Sequence, residues 1–433
     1  MSKEAAWLLQ ELPALVERGV LDSAAAARLR AHYAQVAAAQ GPGWGMILLA
    51  IGGAVLIGLG VILIFAHNWE SWTPELRVAC SLAPLLLGQL AVWRALRNGS
   101  RLWGEGAGVF TALAIGASIA LIAQTYQFGG DLPAFLLSWT LLALPLVYLL
   151  DASGVAALCW LGALAWALAS AEGWWGGGDS VQQALRLPEF LLLAALPLPH
   201  LLKHIRANRA GARVAWLLRV ALLVLALGYA VAMPHAQFEC LLFAYAGMAA
   251  AAVLAGRLYF SGAQGLWGNP LFGTGMLGVC AIALIGTMKD VWRHIAVSLD
   301  GTLVLPLALA LLAVWLARES LRREAPLLPV VIAALTPVVL VLAAFDSSSA
   351  AFAALLGHFY LLALVAALIR TGLRETRLGL ANLGVALLAA LVLLRFFDSD
   401  LSYVVRGVGF IVTGAGFFGA IVWLRRRLRG SAP

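Results

Sequence analysis

Charge is the scarcest resource in this sequence. Only 12% of its 433 residues are Asp, Glu, Lys or Arg, and 63% are hydrophobic; a soluble globular chain is about a quarter charged and half apolar. That balance excludes an ordinary soluble domain, so the two or three domains that length alone suggests do not apply. Cysteine is equally sparse. Cys80, Cys159, Cys240 and Cys280 each lie in or beside an apolar block, and no pair has metal-ligand spacing or belongs to a secreted-type framework, so they read as small core residues. Catalytic signatures are missing too: no His-Glu-x-x-His helix, no glycine-rich phosphate loop ending in Lys-Ser/Thr, no Gly-x-Ser-x-Gly elbow. The reading is therefore of a non-enzyme, with no cofactor and no metal ligands. No cleavable signal peptide is expected, because the first forty residues are charged and amphipathic.

What is present is apolar sequence in blocks of about 17–23 residues, the length that crosses a hydrocarbon core of about 30 Å. The expected fold class is all-α: a polytopic bundle of about fourteen transmembrane helices. The spans fall at 46–66, 76–95, 106–124, 132–150, 152–171, 187–203, 213–233, 237–256, 269–287, 299–317, 326–345, 350–369, 376–394 and 402–424. The span 187–203 is broken by Pro197 and Pro199, and the junction at Asp151 is tight; losing both would leave twelve spans with the same end orientation. Three domains result: a helical hairpin over 1–41, a membrane domain over 46–424 and a basic tail over 425–433. In the hairpin, Trp7, Leu8, Leu12, Leu15 and Val16 recur at helical spacing, Gly19 closes the first helix, and Asp22 or Ser23 caps a second carrying Leu29, Tyr33 and Val36. Forty residues bury too little to stand alone, so this hairpin is expected to dock on the membrane domain, a second copy or a partner.

The net charge of +8 and pI near 9.7 do not point to nucleic acid. The basic residues sit in short loops, which is the pattern that orients a membrane protein. With the N-terminus inside, 22 of the 29 Lys and Arg residues fall in cytoplasmic segments, among them Arg94, Arg97, Arg101, Lys203, Arg206, Arg209 and Arg213. Both termini are therefore expected in the cytoplasm. The outer loops lean acidic and aromatic, with Trp69, Trp72, Trp174, Trp175 and Trp292 suited to the headgroup layer.

The stretch Gly58-Leu59-Gly60-Val61-Ile62-Leu63-Ile64-Phe65-Ala66-His67-Asn68-Trp69 resembles a bacterial family of predicted membrane proteins known as domain of unknown function 2157. Ala31-His32-Tyr33, Gln124-Thr125-Tyr126-Gln127, Trp139 and Leu144-Pro145-Leu146-Val147-Tyr148 fit the same family, and the resemblance covers about residues 5–170. It implies a bacterial inner-membrane location and carries no activity or catalytic residue to transfer.

Polar residues inside or at the ends of spans are the candidates for function. His67 and Asn68 end the first span with Glu70, Glu75 and Arg77 close by; they form a proton-relay or pH-sensing group, or a helix cap. Arg395, Asp398, Asp400 and Arg406 form a second outer cluster, fit for a phosphate or anionic head group or for a salt-bridged turn. Arg219 and Gln124 are the intramembrane polar residues; Arg219 is shallow enough to snorkel. The favoured reading is a carrier or flippase-like transporter of a small molecule or lipid-linked anion. The alternative is a non-transporting scaffold or sensor that recruits a partner, or a second copy, through residues 1–41. The expected partners are the lipid bilayer and an anionic lipid or small-molecule substrate.

Overall fold

The computed structural model describes residues 11–38, 71–171, 180–209, 211–232, 238–260, 268–293, 295, 303–323, 328–345, 350–375, 377–398 and 414. Among them every regular element is a helix, and none is a strand. The expected span 46–66, and all of 402–424 but Gly414, lie outside the described residues. The chain divides into two compact units, Met1–Ala79 and Cys80–Pro433.

In the first unit, α1 (residues 11–17) ends where Gly19 adopts φ +69°. Val20 N donates to Leu15 O and Gly19 N to Val16 O, each at 3.0 Å. This paired closure needs a left-handed residue, which glycine supplies at least cost. Asp22 then precedes α2 (Ser23–Ala38), its carbonyl accepting the first helical bond from Ala26 N at 2.9 Å. Helical segments thus stand on either side of Gly19, where the sequence placed a break; Trp7 and Leu8 of the expected first helix lie outside the described residues. The unit boundary falls within α3 (Pro74–Asn98), which opens with proline at its first position, where the missing N–H costs nothing.

The second unit continues with α4 (Arg101–Tyr126), α5 (Leu132–Leu149), α6 (Ser153–Ala171), α7 (Ser180–Ala195), α8 (Leu198–Ala207), α9 (Ala212–Ala232) and α10 (Phe238–Tyr259). It goes on through α11 (Pro270–Ile285), α12 (Lys289–Arg293), α13 (Val304–Arg323), α14 (Leu328–Ala334), α15 (Thr336–Phe345), α16 (Ala350–Arg374) and α17 (Leu378–Asp398). Among the described residues, eight helices are long and apolar enough to cross a membrane: α3, α4, α5, α6, α9, α10, α13 and α16. Each overlaps one expected span. The apolar helices α11 and 378–394 of α17 are shorter.

Two expected spans are each two helices. The span 187–203 is broken at Leu196-Pro197, as its prolines foretold; the carbonyls exposed by the break are taken by side chains, Ala194 O accepting Trp160 Nε1 at 2.9 Å and Leu196 O the Tyr148 hydroxyl. The span 326–345 was expected to be continuous and is not. Pro337 has no N–H to give Ala333 O, and Thr336 Oγ1 bonds that carbonyl instead, at 2.7 Å. Tyr360 of α16 donates to the neighbouring Ile332 O at 3.1 Å.

The core has two main parts. One gathers around α6, with Val155, Cys159, Trp160 and Ala163 meeting Val147 of α5, Phe190 of α7 and Leu217 of α9. The other gathers around α10, whose Ala246, Ala250, Val253 and Leu254 meet Met276 and Val279 of α11 and Ala313 of α13. The most hydrophobic windows of α6 and α10 are 61% and 67% buried, against 17% for α3. The first two are therefore well buried among their neighbours, and α3 leaves most of its surface uncovered. Close approach is bought by small residues: a Cβ on Gly275 would meet Val253 N at 2.7 Å. Asn269 ties α10 to α11 by donating to Gly256 O and Phe260 O at 2.8 and 3.1 Å while accepting from Phe272 N at 3.0 Å.

Candidate functional site: a charged junction of helix ends

Only Leu150, Asp151 and Ala152 separate α5 from α6. The chain reverses because Asp151 takes φ +52°, with Ala152 N donating to Val147 O at 3.1 Å. This is the closure that glycine usually provides. An aspartate there is strained by an amount on the order of 1–3 kcal/mol, which persists where the surroundings over-determine it and is frequent at functional sites.

Those surroundings come from four helices. Glu105, one turn into α4, accepts Ser153 N on Oε1 and Gly154 N on Oε2, both at 2.9 Å, so a carboxylate from another helix caps the N-terminus of α6. Arg213, at the start of α9, spreads its guanidinium over the junction. It reaches Glu105 Oε1 at 2.5 Å and Asp151 Oδ2 at 3.4 Å, and also bonds the Asp151 carbonyl and Ser153 Oγ. Such a fork suits arginine better than lysine. From α8, three residues on one face converge on Asp151 Oδ1: Lys203 Nζ at 2.8 Å, His204 Nε2 at 3.3 Å and His200 Nδ1 at 3.6 Å. The other nitrogen of His200 lies 3.2 Å from Ser153 Oγ, and the two imidazoles meet edge-on at 4.6 Å. Arg101 adds a more distant charge, 4.0 Å from Asp151 Oδ2. Burial works to raise the Asp151 pKa, but the Lys203 hydrogen bond and the nearby charges of His204, Lys203 and His200 outweigh it, and the carboxyl is held below its ordinary range. The arrangement locks the ends of α4, α6, α8 and α9 together and presents two imidazoles and a carboxylate to one point.

A second feature lies along α3, α4 and α5. A laterally open groove of about 620 Å³ runs between them, walled by Leu82, Leu85, Ile115, Ile119, Ile122 and Leu146 with exposed Gln89. Its hydroxyls are already committed within the protein: Thr111 Oγ1 donates to Ala107 O at 2.7 Å and Ser118 Oγ to Ser81 O at 2.6 Å.

The residues singled out from sequence are scattered. His67, Asn68, Asp400 and Arg406 lie outside the described residues. Arg77 turns back on its own segment, its Nε donating to Trp72 O at 3.1 Å. Helix α17 runs four residues beyond the expected span end, so Arg395 and Asp398 stand on its last turn and not in a loop. Arg219 is half-buried two turns into α9, and Gln124 is exposed on the last turn of α4. The junction itself was missed. Its signal was present as His200 and His204 four residues apart, beside a broken span and opposite an acid in a tight turn. Charge alternation had nonetheless assigned Arg101, Lys203 and Arg213 to one side, and the structure brings all three to Asp151.

No curated protein and no solved structure matches the chain. A family does: residues 13–156, a segment holding the groove, Glu105 and Asp151 but ending before His200, match the family described as "Predicted membrane protein (DUF2157)".

Proposed function

We propose that the chain is a flippase-like carrier of a lipid-linked anion in the bacterial inner membrane, with about fourteen spans and both termini in the cytoplasm. The single observation behind this reading is the groove of about 620 Å³ open to the side of the bundle. Its walls are apolar and its Thr111 and Ser118 hydroxyls are spent on backbone carbonyls, which suits an acyl tail entering from the bilayer better than a polar solute. Arg94, Arg97 and Arg101 near the far end of α3 and the start of α4 supply charge for an anionic head group. In this reading two separate groups, His67, Asn68 and Arg77 in one unit and Arg395, Asp398, Asp400 and Arg406 in the other, are each candidates for a head group at the outer face. The pair α1–α2 docks as a cytosolic hairpin.

The test is reconstitution of the full chain in vesicles holding a head-labelled fluorescent anionic phospholipid, probed with a membrane-impermeant quencher. Flipping drives the quenched fraction above the outer-leaflet half, and Ala123→Trp with Ile119→Trp, which fill the groove, return it toward that half. A quenched fraction equal to protein-free vesicles refutes the carrier and leaves the scaffold or sensor, recruiting through residues 1–41, as the surviving reading.

A further inference from the structure

We propose that Asp151, His200 and His204 form a binding site for a borderline divalent transition-metal ion of the zinc class, with Lys203 as the internal cation that fills it when no metal is bound. The reasoning begins with three ligand atoms that face one another. His204 Nε2 and His200 Nδ1 stand 3.3 and 3.6 Å from Asp151 Oδ1, and one ligand atom from each residue lies within 4.8 Å of the others. Zinc bonds to imidazole nitrogen and carboxylate oxygen are about 2.0–2.2 Å, so ligands on a tetrahedral ion are separated by about 3.4 Å. The spacing fits without large movement.

These approaches are of ligand type. The His204 Nε2 atom is buried and has no hydrogen-bond partner although it lies close to the carboxylate. Leaving such an atom unsatisfied is costly, and a metal ion satisfies it. His200 is held in the way metal-bound histidines are held, its second ring nitrogen 3.2 Å from Ser153 Oγ, which fixes the ring with Nδ1 toward the site. Its side chain is 1% exposed and that of His204 11%. Two imidazoles and one carboxylate suit zinc, cobalt, nickel or copper rather than magnesium or calcium, which prefer all-oxygen shells. Three protein ligands leave a fourth position for water.

Lys203 is the group opposing a metal, because its ammonium lies 2.8 Å from the same Oδ1. Its side chain is 66% exposed, so it swings into solvent at little cost. Metal and ammonium compete for one oxygen, while Arg213 keeps Oδ2 and Glu105.

The measurement is titration of Co²⁺ and Zn²⁺ into the full chain, purified in detergent on a histidine-free tag and stripped with chelator. Binding is read from the cobalt visible spectrum and from competition with a fluorescent zinc chelator. One equivalent is expected, with an intense tetrahedral-type cobalt band and no dependence on lipid substrate. His204→Gln weakens binding about tenfold or more. Lys203→Ala, which removes the competing cation and leaves every ligand, tightens it; because this variant gains affinity, misfolding cannot imitate its result. Absence of a stoichiometric cobalt band in both wild type and Lys203→Ala overturns the assignment. So does metal uptake unchanged by His204→Gln in a monodisperse protein.

Discussion

Replacing Arg213 by methionine is the sharpest test of the junction. The guanidinium joins Glu105, Asp151 and Ser153, and its side chain is only 17% exposed. A hydrogen bond to a charged group contributes about 1.5–3 kcal/mol, and breaking a fully buried ion pair costs about 3–5 kcal/mol. The loss here is smaller than the sum. Glu105 keeps the Ser153 and Gly154 amides, Asp151 keeps Lys203, and both carboxylates are partly solvated. The expected cost is about 2–3 kcal/mol, a factor of about 30–150 in the opening equilibrium. The protein holds its own reporter: Cys159, on the second turn of α6, is 2% exposed. Labelling of Cys159 by a bulky maleimide, in a chain lacking the other three cysteines, should accelerate by about that factor when opening and reclosing are fast relative to labelling. Arg213→Lys restores charge without the fork and should fall between. Combined with Glu105→Gln, the double variant should cost less than the two single changes added together. A Cys159 rate in Arg213→Met within twofold of wild type would refute the claim that this arginine holds the helix ends together.

Three further outcomes follow from the packing. Asn269→Ala should destabilise by about 3 kcal/mol, because it removes a buried cap and leaves the carbonyls of Gly256 and Phe260 without its amide; Asp131→Ala, which loses one exposed cap bond to Ala134 N, should cost about 1 kcal/mol. Thermal melts followed by thiol-reactive fluorescence separate the two. Gly228→Ala drives a Cβ to 1.9 Å from the ring of Phe190, itself fully buried, and should lose about 1–3 kcal/mol; Gly104→Ala meets nothing nearer than 3.8 Å and should be neutral or slightly stabilising by the same melts. Thr336→Val keeps the shape but leaves Ala333 O unbonded at the proline break, and should cost about 1–2 kcal/mol by maleimide labelling of Cys280, which lies in the same core as Tyr360.

Helix existence was legible because apolar block length is a strong signal: α3, α4, α5 and α6 lie within a few residues of the spans read from sequence. Breaks were legible only in part. Pro197 and Pro199 advertised one, whereas Pro337 was read through, since a single proline in an apolar run is tolerated when a neighbouring hydroxyl takes the freed carbonyl, as Thr336 does. The candidate site was the least legible. Glu105, Asp151, His200 and Arg213 are spread over more than a hundred positions, and none stands in a recognisable short motif. The most distinctive polar pair in the sequence, His67 and Asn68, lies outside the described residues. The residues that converge do so because four separate helix ends meet, and contact between ends has no periodic signature in sequence.

The junction also explains why its cations are of two kinds. The Leu150–Ala152 link is too short to satisfy the helix ends it joins, so Glu105 caps α6 from α4 and Arg213 bonds the Asp151 carbonyl from α9. Those bonds must stay in place for the turn to hold its left-handed aspartate, and a planar guanidinium with several fixed donors is suited to that. Lysine is suited to the opposite task. Its ammonium is a compact charge on a flexible stem, and at position 203 it bonds the oxygen that faces the two imidazoles. Asp151 can therefore exchange the cation on Oδ1 while the arginine clamp on Oδ2 remains closed. An arginine at position 203 would bind the carboxylate through a fork and block that exchange. Lys203→Arg should accordingly preserve Cys159 protection and abolish cobalt binding; loss of protection would mean that clamp and cation site are one device and not two.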